Sequence, residues 1–131
     1  MAAAEDLAGI ALFAELDPDA RAAVAGWFEL RDVSPGVHLT GEGASGYSFF
    51  VVRGGTATVT VDGIEVRTLR EGDFFGELAI LRDGRRTATV TTSSPSQVLV
   101  LFGTEFRRLQ HEYPELAERI ESALRTTAQA A

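Results

Sequence analysis

The sequence predicts a mainly β module with short helices at both ends, and three observations predict it. From Glu29 onward, glycine-marked turns follow one another closely: Ser34-Pro35-Gly36, Gly41 to Gly46, Gly54-Gly55, Asp62-Gly63 and Glu71-Gly72-Asp73. Turn signals at that density separate the short strands of an all-β sandwich, roll or barrel. Between the turns apolar and polar residues alternate. Ala57, Val59 and Val61 alternate with Thr56, Thr58 and Thr60, the period of a strand buried on one face. On either side of this region the apolar period changes to that of a helix.

Taken in order, Leu7, Ile10, Leu12, Phe13 and Leu16 recur near helical spacing. Asp17-Pro18 then supplies an N-cap and a first-turn proline for a second helix. Both helices precede Trp27, bury one stripe and expose their acids. The passage from Tyr47 to Leu69 predicts neighbouring antiparallel strands, with a hairpin at Asp62-Gly63 ahead of Ile64 and Val66. Two further strands are predicted over 85–92 and 97–102, separated by the Ser93–Ser96 turn. After Gly103 the residues Phe106, Leu109, Tyr113, Leu116, Ile120 and Leu124 mark one helical face. Pro114 fits the first turn of a new helix and not the middle of a long one, so a break is predicted near Tyr113. The last helix should run from Pro114 to the low-complexity tail that ends at Ala131.

At 131 residues the chain is read as one module, with N-terminal helices over 1–28, a β region over 29–103 and C-terminal helices over 104–131. Hydrophobic residues make up 45% and charged residues 24%, the composition of a folded chain and not of a disordered one. No apolar run reaches the roughly 18 residues of a membrane span. The first residues carry Glu5 and Asp6 where a secretory signal would have basic ones, so the expected location is cytoplasmic, without a membrane partner. Cysteine is absent, which removes thiolate chemistry and disulfides. The formal net charge is −7, with seven acids against two arginines in residues 1–32. That balance disfavours nucleic acid as a partner of this chain. All twelve basic residues are arginine.

One segment carries a distinct chemistry: Gly72 to Val90, "GDFFGELAILRDGRRTATV". The run from Glu77 to Leu81 is compatible with one short helical turn between Gly76 and Arg82-Asp83-Gly84. The first N–H groups of such a turn lack intrahelical partners and lie at a positive dipole end, which attracts an anion. Gly76, without a Cβ, admits both an unusual φ and a close ligand. Arg86 stands nine positions after Glu77, enough chain to reverse at Asp83-Gly84 and return a planar five-donor fork to those N–H groups. Thr87 adds a hydroxyl. Glu77 would repel a phosphate and so addresses a hydroxyl of the same ligand. Phosphate and hydroxyl together describe a ribose phosphate.

This segment resembles the phosphate-binding cassette of the cyclic nucleotide-binding domain, shared by catabolite-activator-type regulators, regulatory subunits of cyclic-AMP-dependent kinase and cyclic-nucleotide-gated channels. Its Phe75-Gly76-Glu77 start and Arg86-Thr87-Ala88-Thr89-Val90 end stand at the family's spacing. The resemblance implies an eight-stranded antiparallel β-roll, jelly-roll-like, with a cassette helix and two C-terminal hinge and lid helices. It implies that Glu77 accepts from the ribose 2′-hydroxyl and that Arg86 pairs with the cyclic phosphate. It further implies that the N–H groups of Gly76, Leu78, Ala79 and Ala88, together with Thr87, complete the pocket. Leu124 and Tyr113 are the candidates for the base contact, Leu124 preferred because the family's lid helix swings over the base. Many members have proline before the arginine; here Arg85 stands there. The ligand expected is cyclic AMP, with cyclic GMP the near alternative, and Thr at position 87 is compatible with both.

Two other functional classes have weaker support in the residues. An enzyme lacks support: His38 and His111 have no paired ligand spacing, Ser45 and Ser48 have no elbow motif, and Glu77 has no second acid. A roll without ligand, serving as an interaction platform, would not need both Glu77 and Arg86. No metal or cofactor is expected. An effector domain, fused or separate, is the expected partner, and the oligomeric state is open. Phe74, Phe75, Val61, Val90 and Leu69 are assigned to the roll core.

Overall fold

The computed structural model describes residues 1–40, 48–76, 89–120 and 122. Among them are eight strands: β1 (Glu29–Val33), β2 (His38–Thr40), β3 (Ser48–Gly54), β4 (Ala57–Val61), β5 (Ile64–Leu69), β6 (Phe74–Phe75), β7 (Thr89–Thr92) and β8 (Ser96–Phe102). They form two four-stranded sheets, ordered β1-β8-β3-β6 and β2-β7-β4-β5, with every pairing antiparallel. The pairs β1–β8, β2–β7, β3–β6 and β4–β5 are those of one long hairpin whose tip is the β4–β5 turn. Rolling that ribbon adds the β3–β8 and β4–β7 pairs and closes the jelly-roll-like arrangement. The tip is built for this: Asp62 has φ 52 and Gly63 φ 76, both positive as a two-residue hairpin with matched twist requires.

The helices are α1 (Ala4–Leu7), a 3₁₀ turn (Ala11–Phe13), α2 (Pro18–Ala25), α3 (Gly103–Glu112) and α4 (residues 114–120). The expected first helix is broken in two. Gly9, at φ 84, ends α1 after one turn, and the chain resumes as the 3₁₀ turn that brings Phe13 inward. Asp17 caps α2 as its sequence suggests, its Oδ1 accepting from the Ala20 N–H at 2.8 Å. Tyr113 breaks the C-terminal helices at φ −132, ψ 63, and Pro114 begins α4.

Sheet one is covered on both faces, which is why β3 and β8 read as nearly continuous apolar runs. Phe49 and Val51 of β3, with Leu99 and Leu101 of β8, face the helices. There they meet Phe13, Phe28, Phe106, Leu109, Leu116 and Ile120, all buried. The alternate residues Phe50, Val52, Val98 and Val100 face the interior of the roll. β6 divides the same way in two residues. Phe75 stacks on Phe50 at 4.8 Å and 7°, whereas Phe74 packs on Phe49 at 5.7 Å on the helix side. The assignment of Phe74 to the roll core is therefore corrected: neighbouring strand residues point to opposite faces, so Phe74 and Phe75 cannot share one. Leu69 and Val90 join the roll core as expected, while Val61, at the hairpin tip, is only partly buried and outside the buried clusters.

Gly55 closes the β3–β4 turn at φ 86, and a Cβ built there lies 2.5 Å from the Pro95 carbonyl oxygen and 2.7 Å from Ser96 Cα. Gly63 has a similar φ but nothing within 4 Å. Gly55→Ala should therefore cost upward of about 2 kcal/mol in urea unfolding, and Gly63→Ala only about 1 kcal/mol. Equal losses would show that φ, and not the contact with the β7–β8 turn, sets the requirement.

Candidate functional site

The candidate site joins the two sheets. Its entry is β6, the edge strand of sheet one, paired to β3 through Phe50–Phe75 and Val51–Phe74. The turn ahead of β6 is closed by reciprocal bonds. The Arg70 N–H donates to Asp73 Oδ2 at 2.8 Å and the Asp73 N–H donates to the Arg70 carbonyl at 3.0 Å. Gly72, at φ 92, donates to the Val52 carbonyl at 2.8 Å, and Val52 donates to the Asp73 carbonyl at the same distance. These bonds fix the approach to Gly76, whose φ of 95 lies in the region that favours glycine.

The exit is β7, an inner strand of sheet two held on both sides. Thr89 lies opposite Thr60, and Val90 opposite both Val59 and Thr40. At the far end of β7, buried Thr92 donates from Oγ1 to the Ser34 carbonyl at 2.7 Å and accepts from the Val37 N–H at 2.9 Å. A segment beginning after Gly76 and ending before Thr89 therefore starts and finishes on anchored backbone. Such anchoring favours a preorganised ligand site.

Of the residues singled out in the sequence, Gly76 and Tyr113 are described. Glu77, Leu78, Ala79, Arg86, Thr87, Ala88 and Leu124 lie outside the described residues, as does Arg85. The Tyr113 ring packs on Trp27 at 5.9 Å and against the helix-side core. Arg108 lies over the other partner of that pair, 4.5 Å from the Trp27 ring, so Tyr113 belongs to an aromatic and cationic cluster joining α3 to the end of α2. His38 Nδ1 is 2.9 Å from Thr91 Oγ1 on the exposed face of sheet two, and His111 lies in the last turn of α3. The two histidines serve different elements.

A short aromatic chain connects the entry of the site to the C-terminal helices. Phe74 contacts Phe49 at 5.7 Å, and Phe49 contacts Phe106 of α3 at 5.7 Å. α4 is tied in turn to the N-terminal layer: Arg119 pairs with Glu15 and donates to the Leu12 carbonyl at 3.3 Å. Arg53 of β3 pairs with Asp6 of α1 at 3.1 Å.

Sequence reasoning passed over one residue of this region. Arg67 of β5 lies directly opposite Val59, and Leu69, two positions on, is fully buried in the roll. The period-two alternation counted back from Leu69 was the available signal, and it places Arg67 on the inward face.

Comparison with known proteins agrees with this architecture. A family model described as the cyclic nucleotide-binding domain matches residues 30–113, from β1 to the break after α3. A cGMP-dependent protein kinase of Drosophila melanogaster is 32% identical over 121 residues, covering 86% of this chain and 16% of that protein. A cAMP-dependent protein kinase regulatory subunit of Hypocrea atroviridis is 33% identical over 100 residues, covering 76% of this chain and 22% of that protein. The chain thus spans about a fifth of the length of these relatives. Among solved structures, one titled cAMP-bound PfPKA-R superposes with a TM-score of 0.86 at 27% identity, covering 96% of this chain and 44% of the other. The two rolled sheets, the helices that cover one of them and the matched span together establish that the chain belongs to the cyclic nucleotide-binding domain family.

Proposed function

We propose that residues 1–131 act as one regulatory, non-catalytic module that captures a cyclic nucleotide between β6 and β7 and converts its binding into a rearrangement of the C-terminal helices. The observation that carries this reading is the placement of Gly76: it holds a positive φ at the end of a clamped edge strand, directly before Glu77. There Glu77 would accept from the ribose 2′-hydroxyl and Arg86 would pair with the cyclic phosphate. The N–H groups of Gly76, Leu78, Ala79 and Ala88, with the Thr87 hydroxyl, would complete the phosphate shell. Leu124 is the proposed base contact, since the Tyr113 ring is engaged by Trp27. Cyclic AMP, expected from the sequence and named for PfPKA-R, and cyclic GMP, named for the fly kinase, share the ribose phosphate these residues address.

The proposed relay is mechanical and local. Phosphate capture favours one position of the segment after β6, Phe74 follows it, and Phe49 passes the change in packing to Phe106 and α3. A ligand shifts such an equilibrium only by the difference in its affinity for the two arrangements. A fused or separate effector would read the position of α3 and α4. A cytoplasmic location follows from the signalling role proposed. Among the described residues no helix is long and apolar enough to cross a membrane.

Titration calorimetry of the purified chain with cyclic AMP and cyclic GMP tests the reading. At least one should give saturable binding, and the absence of binding by both would leave only the platform role. Arg86→Ala should weaken whichever nucleotide binds by about 3 kcal/mol, roughly a hundredfold; wild-type affinity in that variant would contradict its role. Glu77→Gln should cost less, and it should abolish the difference between the ribose ligand and its 2′-deoxy analogue. If the 2′-deoxy penalty is as large in the variant as in the wild type, Glu77 does not address that hydroxyl.

A further inference from the structure

The two sheets part along two seams. At one, the outermost strands are β6 and β5, and the candidate site leaves from β6; at the other, they are β1 and β2. Between β1 and β2 lies an open cavity of about 580 Å³, within the range of roughly 300–1,000 Å³ typical of small-molecule sites. Its inner wall is apolar. Val33 of β1 and Leu39 of β2 are partly buried there, and Phe50 of β3 is 7% exposed. All three belong to the part of the roll core built on Val98 and Val100. Val37, 40% exposed, carries the apolar surface out to the rim.

The charges on the rim already have partners. Arg31 donates from Nε and Nη2 to the Glu29 carboxylate, each at 3.3 Å. Asp32 Oδ1 accepts from Gln97 Nε2 at 3.2 Å, and Gln97 Oε1 accepts from Arg53. A charged ligand would give up its hydration here for groups that are already paired, which is unfavourable. A single uncharged donor can be met, because a carboxylate accepts more than one hydrogen bond. An apolar wall that includes a phenyl ring, with an acceptor at the mouth, suits a flat aromatic molecule bearing one N–H or O–H.

The consequence of filling the cavity is set by Phe50. Its ring stacks on Phe75 at 4.8 Å and 7°, and the two residues are paired in register. Phe75 stands directly before Gly76, where the candidate site begins. A molecule seated against Phe50 holds that stack in place, since close-packed side chains shift together. We infer that the β1–β2 cavity is a second ligand site, for an uncharged aromatic molecule of one or two fused rings, and that filling it strengthens nucleotide binding. The coupling rests on the nucleotide reading above. It acts by preorganising the backbone at Gly76, and it is reciprocal, each ligand tightening the other by one factor.

Indole serves as the probe, followed through the methyl NMR signals of Val33, Val37 and Leu39 in the 131-residue chain. These signals should shift saturably and stay shifted when cyclic AMP or cyclic GMP is added. Saturating indole should tighten nucleotide binding about threefold or more in calorimetry, and the nucleotide should tighten indole by the same factor. Val37→Glu, at an exposed position, should weaken indole roughly tenfold and leave nucleotide affinity without indole unchanged. Phe50→Leu should still bind indole but lose the coupling. Absence of saturable shifts at these methyls, displacement of indole by the nucleotide, or equal binding of the anion indole-3-acetate would each overturn the cavity assignment. Independent binding of the two ligands would overturn the coupling alone. Failure to bind any nucleotide would overturn the sensor reading and the coupling with it, while the indole shifts would still decide the cavity.

Discussion

Phe49 is the packing contact on which the rest of the arrangement depends. It lies on β3, between the strand that leads into α3 and the strand that leads into the candidate site, and is wholly buried. Its ring meets Phe74 and Phe106, each at 5.7 Å, and Phe28 at 6.4 Å. One side chain thus touches β6, α3 and the segment that follows the N-terminal helices. Close-packed interiors respond to displacement by repacking and not by gradual deformation. A shift of β6 cannot be absorbed here without a response from Phe49.

The charge distribution fits an anionic ligand despite the net charge of −7. Two of the N-terminal acids are occupied in tying the outer layer together, Asp6 to Arg53 of β3 and Glu15 to Arg119 of α4. Pairs of this kind at a partly exposed surface contribute modestly, and each neutralises one acid on the helical side of sheet one. Screening at physiological salt has a length of about 8 Å, so the field at a bound phosphate is set by the groups beside it. An acidic chain can hold an anion where N–H groups and an arginine fork converge.

Much of the fold was legible because its signals are local. Asp62-Gly63 demands a hairpin, Asp17-Pro18 a helix start and Pro114 a break, since each rests on the conformational preference or capping chemistry of one or two residues. The misassignments have an equally definite cause. Gly9 interrupts a run whose spacing is otherwise helical, because a single residue at positive φ outweighs the apolar period around it. Phe74 and Phe75 look alike in sequence and enter different cores, because β6 is an edge strand covered on one face by helices and on the other by the roll. For the candidate site, residue types and spacing were readable in the cassette segment. Arg67 was not, since its significance depends on which face of β5 is turned inward.

By itself, then, the sequence determined the Asp62-Gly63 hairpin, the helix boundaries marked by proline and capping residues, the alternation of the strands and the residue types of the segment between β6 and β7. These depend on residues close together in the chain, where backbone preferences and hydrogen-bonding capacity act directly. Only the tertiary structure decided the division of β3, β6 and β8 between two cores, the contacts of Phe49 with Phe74 and Phe106 and the inward position of Arg67. Those follow from pairings such as Val59 with Arg67 and Phe50 with Phe75, set when the ribbon rolls and distant segments bury one another's apolar faces.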